Sequence, residues 1–440
     1  MISSNIKKNI FYHLPFFLII SLPFFLITGP FLSDLAVSLC AIIFIINTII
    51  NKNIFFKYYI NKFFLFFLFF WIILIISSLF SENIFFSMSS SLPYLRFGIF
   101  TLSFWYLIDC ENKILQYIFY SFLFSFSILI IDGYLQFFIG KNIFGWEIIG
   151  TRVSSFFKDE LILGSYLSRL YPIFFALFIL KFLNNFKSLT FFIALTFFIL
   201  IEVLIFLSGE RVAFFYLNFA TLLIIALSNN FKMLRIASVI ISSVLILFIS
   251  YFKPVYFERV IERTLLQIGL IENKDISFSD KKLNINYDLK KNSLLVFSQE
   301  HQDHYKSAWK MFKDNKILGI GTKLFRKNCN NEKYKISFES CTTHPHNTYV
   351  QLLAENGLLG FITIFFIFFY LIFSCIKHLY LKIFYKKMLF TDFQISLLAT
   401  FIISLWPFVP TGNFLNNWLS IVYFFPVGIF LWSVQERSKR

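Results

Sequence analysis

Charged residues are scarce in this chain. Asp, Glu, Lys and Arg make up 15% of its 440 residues, whereas they account for about 25% of a typical soluble protein. Hydrophobic residues make up 58% and aromatic residues 22%. The apolar residues fall in runs of roughly 17 to 25, long enough to cross a hydrocarbon core about 30 Å thick. This composition excludes a soluble globular protein and predicts an all-α, polytopic helical membrane protein.

The positive charge of the chain does not indicate a nucleic-acid partner. The formal net charge is +16, but the Lys and Arg residues cluster in short polar loops between the apolar runs. That distribution marks the cytoplasmic side of membrane proteins. The charge pattern therefore predicts membrane lipid, and no nucleic acid, as a partner.

The apolar runs predict about twelve transmembrane helices. They cover residues 11–28, 31–50, 63–80, 88–108, 114–132, 163–182, 188–207, 212–228, 236–252, 349–376, 391–408 and 415–434. A long polar segment separates the ninth run from the tenth. We therefore divide the chain into a transmembrane bundle over 1–252, a large extracytoplasmic loop over 253–348, and the last three spans with a cytoplasmic tail over 349–440.

The short loops predict the orientation of the bundle. With twelve spans, their basic residues all fall on one side, which the positive-inside rule makes the cytoplasm. These residues are Lys7, Lys8, Lys52, Lys57, Lys62, Lys113, Lys181, Lys187, Lys232, Arg235, Lys377, Lys382, Lys386, Lys387, Arg437, Lys439 and Arg440. Turns on the opposite side, such as residues 410–413, lack Lys and Arg. Both termini are therefore predicted to be cytoplasmic.

The large loop is the part of the chain that most resembles a soluble domain. Residues 253–347 hold 11 of the 24 acidic residues and four of the six histidines. The stretch YKSAWKMFKDNKILGIG predicts an amphipathic helix that ends at Gly319 and Gly321 and packs on the membrane surface. Cys329 and Cys341 share this loop in an oxidising compartment. We expect them to form a disulfide, which would stabilise the loop by roughly 3 kcal/mol.

Two of the rare histidines stand at the start of a membrane span, in CTTHPHNTYVQLLAENGLLG. A neutral imidazole is a suitable general base because its ordinary pKa lies near physiological pH, so we single out His346. Asn347 can orient that ring or cap the following helix. Gly357 and Gly360, three residues apart, allow another helix or a lipid to approach closely. The alternative is an ordinary interfacial histidine beside a helix cap.

The His-Asn pair, nine residues and Gly-x-x-Gly, opening a late span after a large loop, resemble the signature of the bacterial O-antigen ligase family. That family shares its C-terminal region with the O-antigen polymerases. The resemblance implies an enzyme of the bacterial inner membrane that works on the periplasmic face. Its donor would be a glycan linked to a polyprenyl (undecaprenyl) diphosphate, and its acceptor a sugar hydroxyl of lipid A–core or another glycan. Neither a metal nor another cofactor is implied.

The resemblance also implies arginines that hold the diphosphate, and a motif histidine, His346, that deprotonates the acceptor. Arg211 lies in SGER, which resembles the family's Ser-Gly-x-Arg turn between two spans. Arg152 lies in a segment similar to the Arg-containing stretch before the middle helices. The family's loop arginine is absent, and Arg326 or His304 would take its place. Arg96, in SLPYLRFGIF, is a further cation within an apolar run.

The spacings of the histidines also permit a zinc site. His301, His304, His344 and His346 lie in H-x-x-H and H-P-H patterns. We do not favour this interpretation because no thiolate signature accompanies them, and we predict no metal. His304, His344 and Glu160 are instead expected to contribute to the site from the loops, with His344 chiefly shaping the turn.

Two other functions stay open at this level. A polymerase would use a second lipid-linked oligosaccharide as its acceptor, and the sequence does not distinguish it from a ligase. A polysaccharide or lipid transporter would show related halves with broken helices at corresponding positions. No such repeat is found in the sequence, and a transporter leaves the 95-residue loop unexplained.

Overall fold

The computed structural model describes residues 10–267 and 299–438, and within these ranges the regular secondary structure is helical, without strands. Its α-helices are α1 Ile10–Phe25, α2 Pro30–Ile50, α3 Lys52–Tyr58, α4 Lys62–Leu79, α5 Ile84–Ser91, α6 Leu95–Cys110, α7 Ile114–Ile139, α8 Leu163–Phe182, α9 Ser188–Leu207, α10 Arg211–Leu227, α11 Lys232–Phe252, α12 Pro254–Phe257, α13 Arg263–Gln267, α14 Gln299–Asp314, α15 Phe325–Asn328, α16 Thr348–Tyr385, α17 Asp392–Ser404 and α18 Asn417–Ser438. The predicted all-α class is confirmed.

Helix lengths and apolar composition confirm a polytopic membrane protein. Among the described residues, eight helices are long and apolar enough to cross a membrane, namely α2, α4, α7, α8, α9, α11, α16 and α18. The helices α1, α10 and α17 are shorter but apolar. The predicted span 88–108 is not one helix, because a 3-10 turn at Leu92–Tyr94 separates α5 from α6. Pro93 lies in this turn and cannot donate a backbone hydrogen bond.

The core of the bundle surrounds α8. In the most apolar 18-residue stretch of α8, 89% of the residues are buried. The helix packs against α7, α9, α10 and α17. Aromatic rings fill much of this core; for example, Phe119 and Phe174 stack with their centroids 5.3 Å apart. In contrast, only 28% of the residues in the corresponding stretch of α11 are buried. The outer face of α11 therefore presents apolar side chains in the position that lipid would occupy.

One residue assigned to a cytoplasmic loop proves to be buried. Arg235 is fully buried in α11 and forms an ion pair with Glu202 of α9, with Nη1 2.6 Å from Oε1. It also donates hydrogen bonds to Tyr171 and Ser238. A buried charge is tolerated only when it is paired and hydrogen-bonded. Arg235 therefore ties three elements of the bundle together and does not act as a loop charge.

The amphipathic helix of the large loop begins and ends earlier than predicted. It is α14, which ends at Asp314, whereas the sequence placed its end at Gly319 and Gly321. Those two glycines have φ of +69° and +112° and belong to an irregular segment that follows the helix. They are needed for a close backbone approach and do not terminate α14.

That irregular segment lies in a break of α16. Gly357 has φ +64° and ψ −161°, which interrupts the helix after its first turns. Across the break, the Leu358 amide donates to the Lys316 carbonyl at 2.8 Å and the Ile320 amide donates to the Ala354 carbonyl at 2.9 Å. A Cβ at position 357 would collide with the Ile317 carbonyl. The neighbour of Gly357 is therefore the backbone of the large loop, and not the helix or lipid that the sequence suggested.

Candidate functional site

Four histidines meet beside the start of α16. His301 and His304 come from successive turns of α14, and His344 and His346 come from the segment that precedes α16. The His346 ring lies centrally, with its centroid 4.1 Å from that of His344, 5.2 Å from that of His301 and 5.4 Å from that of His304. The structure thus brings together residues that are 40 or more positions apart in the chain.

The hydrogen bonds of these rings distinguish His346 from its neighbours. His344 Nε2 donates to the Thr411 carbonyl at 3.2 Å, and its Nδ1 accepts from the Thr343 hydroxyl at 2.8 Å. His304 Nε2 donates to the Glu339 carbonyl at 2.9 Å, and its Nδ1 is buried. In contrast, the half-buried His346 ring forms no hydrogen bond with any described residue. Of these three rings, only that of His346 has both nitrogens uncommitted.

The backbone around His346 is fixed by the turn between α17 and α18. His346 has φ +56°, a left-handed conformation that is unusual for a residue with a side chain. Its carbonyl accepts from the Thr411 amide at 2.8 Å. Asn347 caps α16 by accepting from the Tyr349 and Val350 amides, and its own amide donates to the Pro407 carbonyl. The rigid turn therefore holds the ring at a set angle.

The histidines are neutral at physiological pH. Burial, followed by the charge of His304, lowers the pKa of His346 to about 4. Burial and the neighbouring His346 lower the pKa of His344 to about 3, and the same two causes lower that of His301 to about 4. A general base must have an unprotonated nitrogen. His346 meets this requirement across the physiological range.

The cluster is not arranged as a metal site. Within residues 10–267 and 299–438, no group of three or more His, Cys, Asp or Glu side chains is placed to hold a metal ion. Both nitrogens of His344 are already committed to hydrogen bonds with Thr343 and Thr411. A zinc ligand needs a free imidazole nitrogen, so His344 in this conformation cannot serve as one.

Three arginines gather at the turn between α9 and α10. Arg211 is the first residue of α10. Arg152 donates through Nε to the Ser208 carbonyl at 3.2 Å and through Nη2 to the Leu161 carbonyl at 2.8 Å. Arg259 donates through Nε to the Gly209 carbonyl at 3.2 Å. We call Arg152, Arg211 and Arg259 the arginine cluster; together with the positive end of α10, it favours an anion.

The acidic residue in this turn has a separate role. The Glu210 carboxylate accepts from the Gly164 amide at 2.7 Å, the Ser165 amide at 3.1 Å and the Ser165 hydroxyl. It therefore caps the N-terminus of α8, where a negative charge is stabilised by the helix dipole. By holding α8 against the α9–α10 turn, Glu210 keeps Arg152 and Arg211 at one place.

The histidines connect the arginine cluster with Arg326. Arg211 is among the charges that lower the pKa of His301, and Arg326 is among those that lower the pKa of His344. The His346 ring neighbours both His301 and His344, so the histidine cluster is within electrostatic range of both Arg211 and Arg326. Glu160, in contrast, is exposed and forms no hydrogen bond or ion pair with a described residue.

Sequence reasoning missed two parts of this site. Arg259 lies in the short π-helix Glu258–Glu262, directly after α12, and its position just after a membrane span could have marked it as a candidate. The Pro407 and Thr411 carbonyls support the motif from a turn that the sequence identified only by its lack of Lys and Arg. A backbone carbonyl has no sequence signature, so this second element was not accessible to prediction.

Cys329 and Cys341 form a disulfide in the structure, with their Cα atoms 4.9 Å apart. Cys329 is fully buried among residues of α14 and α16. The bond closes the segment that begins three residues after Arg326 and ends three residues before His344. It therefore limits how far apart in space Arg326 and His344 can lie.

An apolar groove runs beside the histidines, between α14 and the first turns of α16. Its volume is about 270 Å³, and its lining is almost entirely apolar. The lining residues are Tyr305, Lys306, Ala308, Trp309, Val350 and Leu353. Since Tyr305 directly follows His304, the groove begins next to the histidines.

The structure thus combines a helical membrane bundle with a cluster of four histidines and, at the α9–α10 turn, a cluster of three arginines. Residues 194–365 match the O-antigen ligase family model. This match supports membership of the O-antigen ligase family, a family of O-antigen ligase- and polymerase-type glycosyltransferases. No curated protein matches the chain.

Proposed function

We propose that this protein transfers a glycan from a polyprenyl diphosphate, such as undecaprenyl diphosphate, to an acceptor sugar hydroxyl on the periplasmic face of the inner membrane. The acceptor we favour is lipid A–core, which makes the reaction O-antigen ligation. The observation that carries the proposal is the neutral His346 ring without a described hydrogen-bond partner, in a histidine cluster that feels the charges of Arg211 and Arg326. The family match over 194–365 supports the same class of reaction.

In the proposed reaction, a nitrogen of His346 removes the proton of the acceptor hydroxyl. The oxygen then attacks the anomeric carbon of the donor and forms the new glycosidic bond, with inversion. The bond between that carbon and the diphosphate oxygen breaks, and polyprenyl diphosphate leaves with the electron pair. General-base assistance of this kind contributes about 10²–10⁴-fold to the rate.

We assign the diphosphate to the arginine cluster. Guanidinium groups donate paired hydrogen bonds that match phosphate oxygens, and they stabilise the charge that develops on the leaving group. Because the diphosphate is already a good leaving group, this scheme needs no metal. The first isoprene units would occupy the apolar groove beside Tyr305 and Trp309.

The test is the surface glycan of a deletion strain. Loss of all polymer from lipid A–core, with restoration by the wild-type gene, is expected for a ligase. A single repeat unit that stays attached to lipid A–core would identify a polymerase instead. Unchanged glycan in a strain that lacks the protein would contradict both forms of the proposal.

A further inference from the structure

A second positively charged turn lies within electrostatic range of His344. It consists of residues 323–326, and both of its end residues, Lys323 and Arg326, are half-buried cations. Arg326 Nε is buried without a hydrogen-bond partner, and the Lys323 ammonium forms no hydrogen bond or ion pair with a described residue. Two neighbouring cations without acceptors are costly in the absence of an anion. We call residues 323–326 the basic turn.

The basic turn is held rigidly on α16. The buried Glu355 carboxylate accepts from the Phe325 amide at 3.3 Å, and the Glu355 carbonyl accepts from the Gly321 amide at 2.9 Å. A Cβ at Gly321 would collide with Ser81 at the end of α4, so the turn is enclosed from that side as well. Lys323 itself has φ +60°, a conformation that persists only where the surroundings fix it.

Other charges near the basic turn offset its charge only in part. Arg96 lies close enough to Lys323 to affect its ionisation, together with Asp34. Arg96 and Asp34 are already paired with each other, with Nη2 2.6 Å from Oδ1. Glu355 uses one carboxylate oxygen for the Phe325 amide and the other for the Gln351 side chain. The three cations Lys323, Arg326 and Arg96 against the two carboxylates of Asp34 and Glu355 leave one net positive charge, and neither Lys323 nor Arg326 forms an ion pair with a described residue.

The basic turn and the arginine cluster stand on different elements. The arginine cluster surrounds the α9–α10 turn, whereas the basic turn is fixed to the second turn of α16. Asn347 and Glu355 are eight residues apart on α16, which corresponds to roughly 12 Å along a helix. An anion bound to the basic turn would therefore not contact His346. It could belong to a different sugar of the same bound oligosaccharide from the one whose hydroxyl reacts.

We propose that Lys323 and Arg326 bind an anionic group, a phosphate or a carboxylate, on the acceptor glycan. This inference rests on the proposed function and specifies its acceptor. The acceptor would be held by a negative charge at the basic turn and would place a hydroxyl at His346, while the arginine cluster holds the donor. A neutral acceptor would lack this anchor.

The experiment uses purified full-length protein in detergent and measures both binding and transfer. The probes are lipid A–core with its native charges, the same molecule after phosphate removal, and the same molecule after reduction of its carboxylates. The Lys323→Gln variant is compared with Lys327→Gln, which removes a charge from an exposed side chain that stacks on Phe86. Hydrogen bonds to charged groups support an expected effect of about 10-fold or more.

We expect Lys323→Gln to weaken binding of the native acceptor and to raise its KM by about 10-fold, with an unchanged KM for the donor and little effect of Lys327→Gln. In the wild type, one of the two treatments, removal of the phosphates or reduction of the carboxylates, should reproduce this loss and so identify the bound group. The same treatment should cause no further loss in Lys323→Gln. Equal binding of all three probes, or a raised KM for the donor alone, would overturn the inference. Lys323-dependent binding without any transfer would support the anion site and contradict the proposed function.

Discussion

His344 and His346 lie with their ring centroids 4.1 Å apart, yet only His344 has both nitrogens engaged in hydrogen bonds. Two residues separated by a single proline thus have different chemical capacities. One ring supports the turn through Thr343 and Thr411, and the other is open to a substrate. This difference supports the assignment of His346 as the base.

We first predict that His346→Ala abolishes most of the transfer while the protein level and donor binding stay near normal. The loss should be about 10²–10⁴-fold, the usual contribution of a general base. The control is His344→Ala at matched expression, which removes hydrogen bonds from the turn and should cost less. Near-normal activity of His346→Ala with loss only in His344→Ala would move the base to His344.

The rate of transfer should fall on the acidic side only at a pH well below the ordinary pKa of histidine. Because the pKa of His346 is lowered to about 4, the ring stays neutral, and competent as a base, as the pH falls from about 7 to about 5.5. Activity attributable to this group should be lost only as the pH approaches about 4. The control is recovery of activity after acid exposure and return to neutral pH. A reversible loss centred near 6.5, the ordinary pKa of histidine, would contradict the assignment.

Arg211→Lys should reduce transfer severely, because a lysine keeps the charge but loses the paired hydrogen bonds of the guanidinium. Arg259→Lys should act in the same direction, since Arg259 lies at the same turn. We expect losses of about 10-fold or more, seen mainly in the KM for the donor. Arg437→Lys, at the end of α18, is the control for general effects of this substitution. Wild-type kinetics in Arg259→Lys would remove that residue from the proposed donor site.

Gly357→Ala should destabilise the protein and reduce its folded yield. Its positive φ disfavours alanine, and the new Cβ would collide with the backbone of Ile317. Gly140→Ala is a matched control because Gly140 also has positive φ, +86°, but has open space around it. The thermal stability in detergent should fall further for Gly357→Ala. Equal stability of the two variants would mean that the collision is relieved at no cost.

The orientation of the bundle is testable with reporter fusions. Fusions after Lys113, Lys187 and Lys232 should report the cytoplasm, and fusions within 270–340 should report the periplasm. A fusion in the turn at residues 81–83, which lacks Lys and Arg, should report the periplasm as well. A cytoplasmic signal from the large loop would remove the basis of the proposed function.

The sequence predicted the class of fold because long apolar runs have few alternatives in a membrane. It also identified the histidine pair, because a polar residue at the mouth of a span is rare enough to notice. It did not predict the break in α16, since Gly357 alone does not reveal which backbone will approach it. It also counted Arg235 as a loop charge, because its partner Glu202 lies 33 positions away and only packing unites them.

The loop segment wedged into α16 has a consequence for how the protein is made. Residues 316–320 precede α16 in the chain, yet their carbonyl and amide groups complete the hydrogen bonds at Gly357. Under the proposed orientation, the helix reaches its final shape only after that segment has crossed the membrane and turned back to meet it. The arrangement around His346 would then form only after the large loop has been translocated.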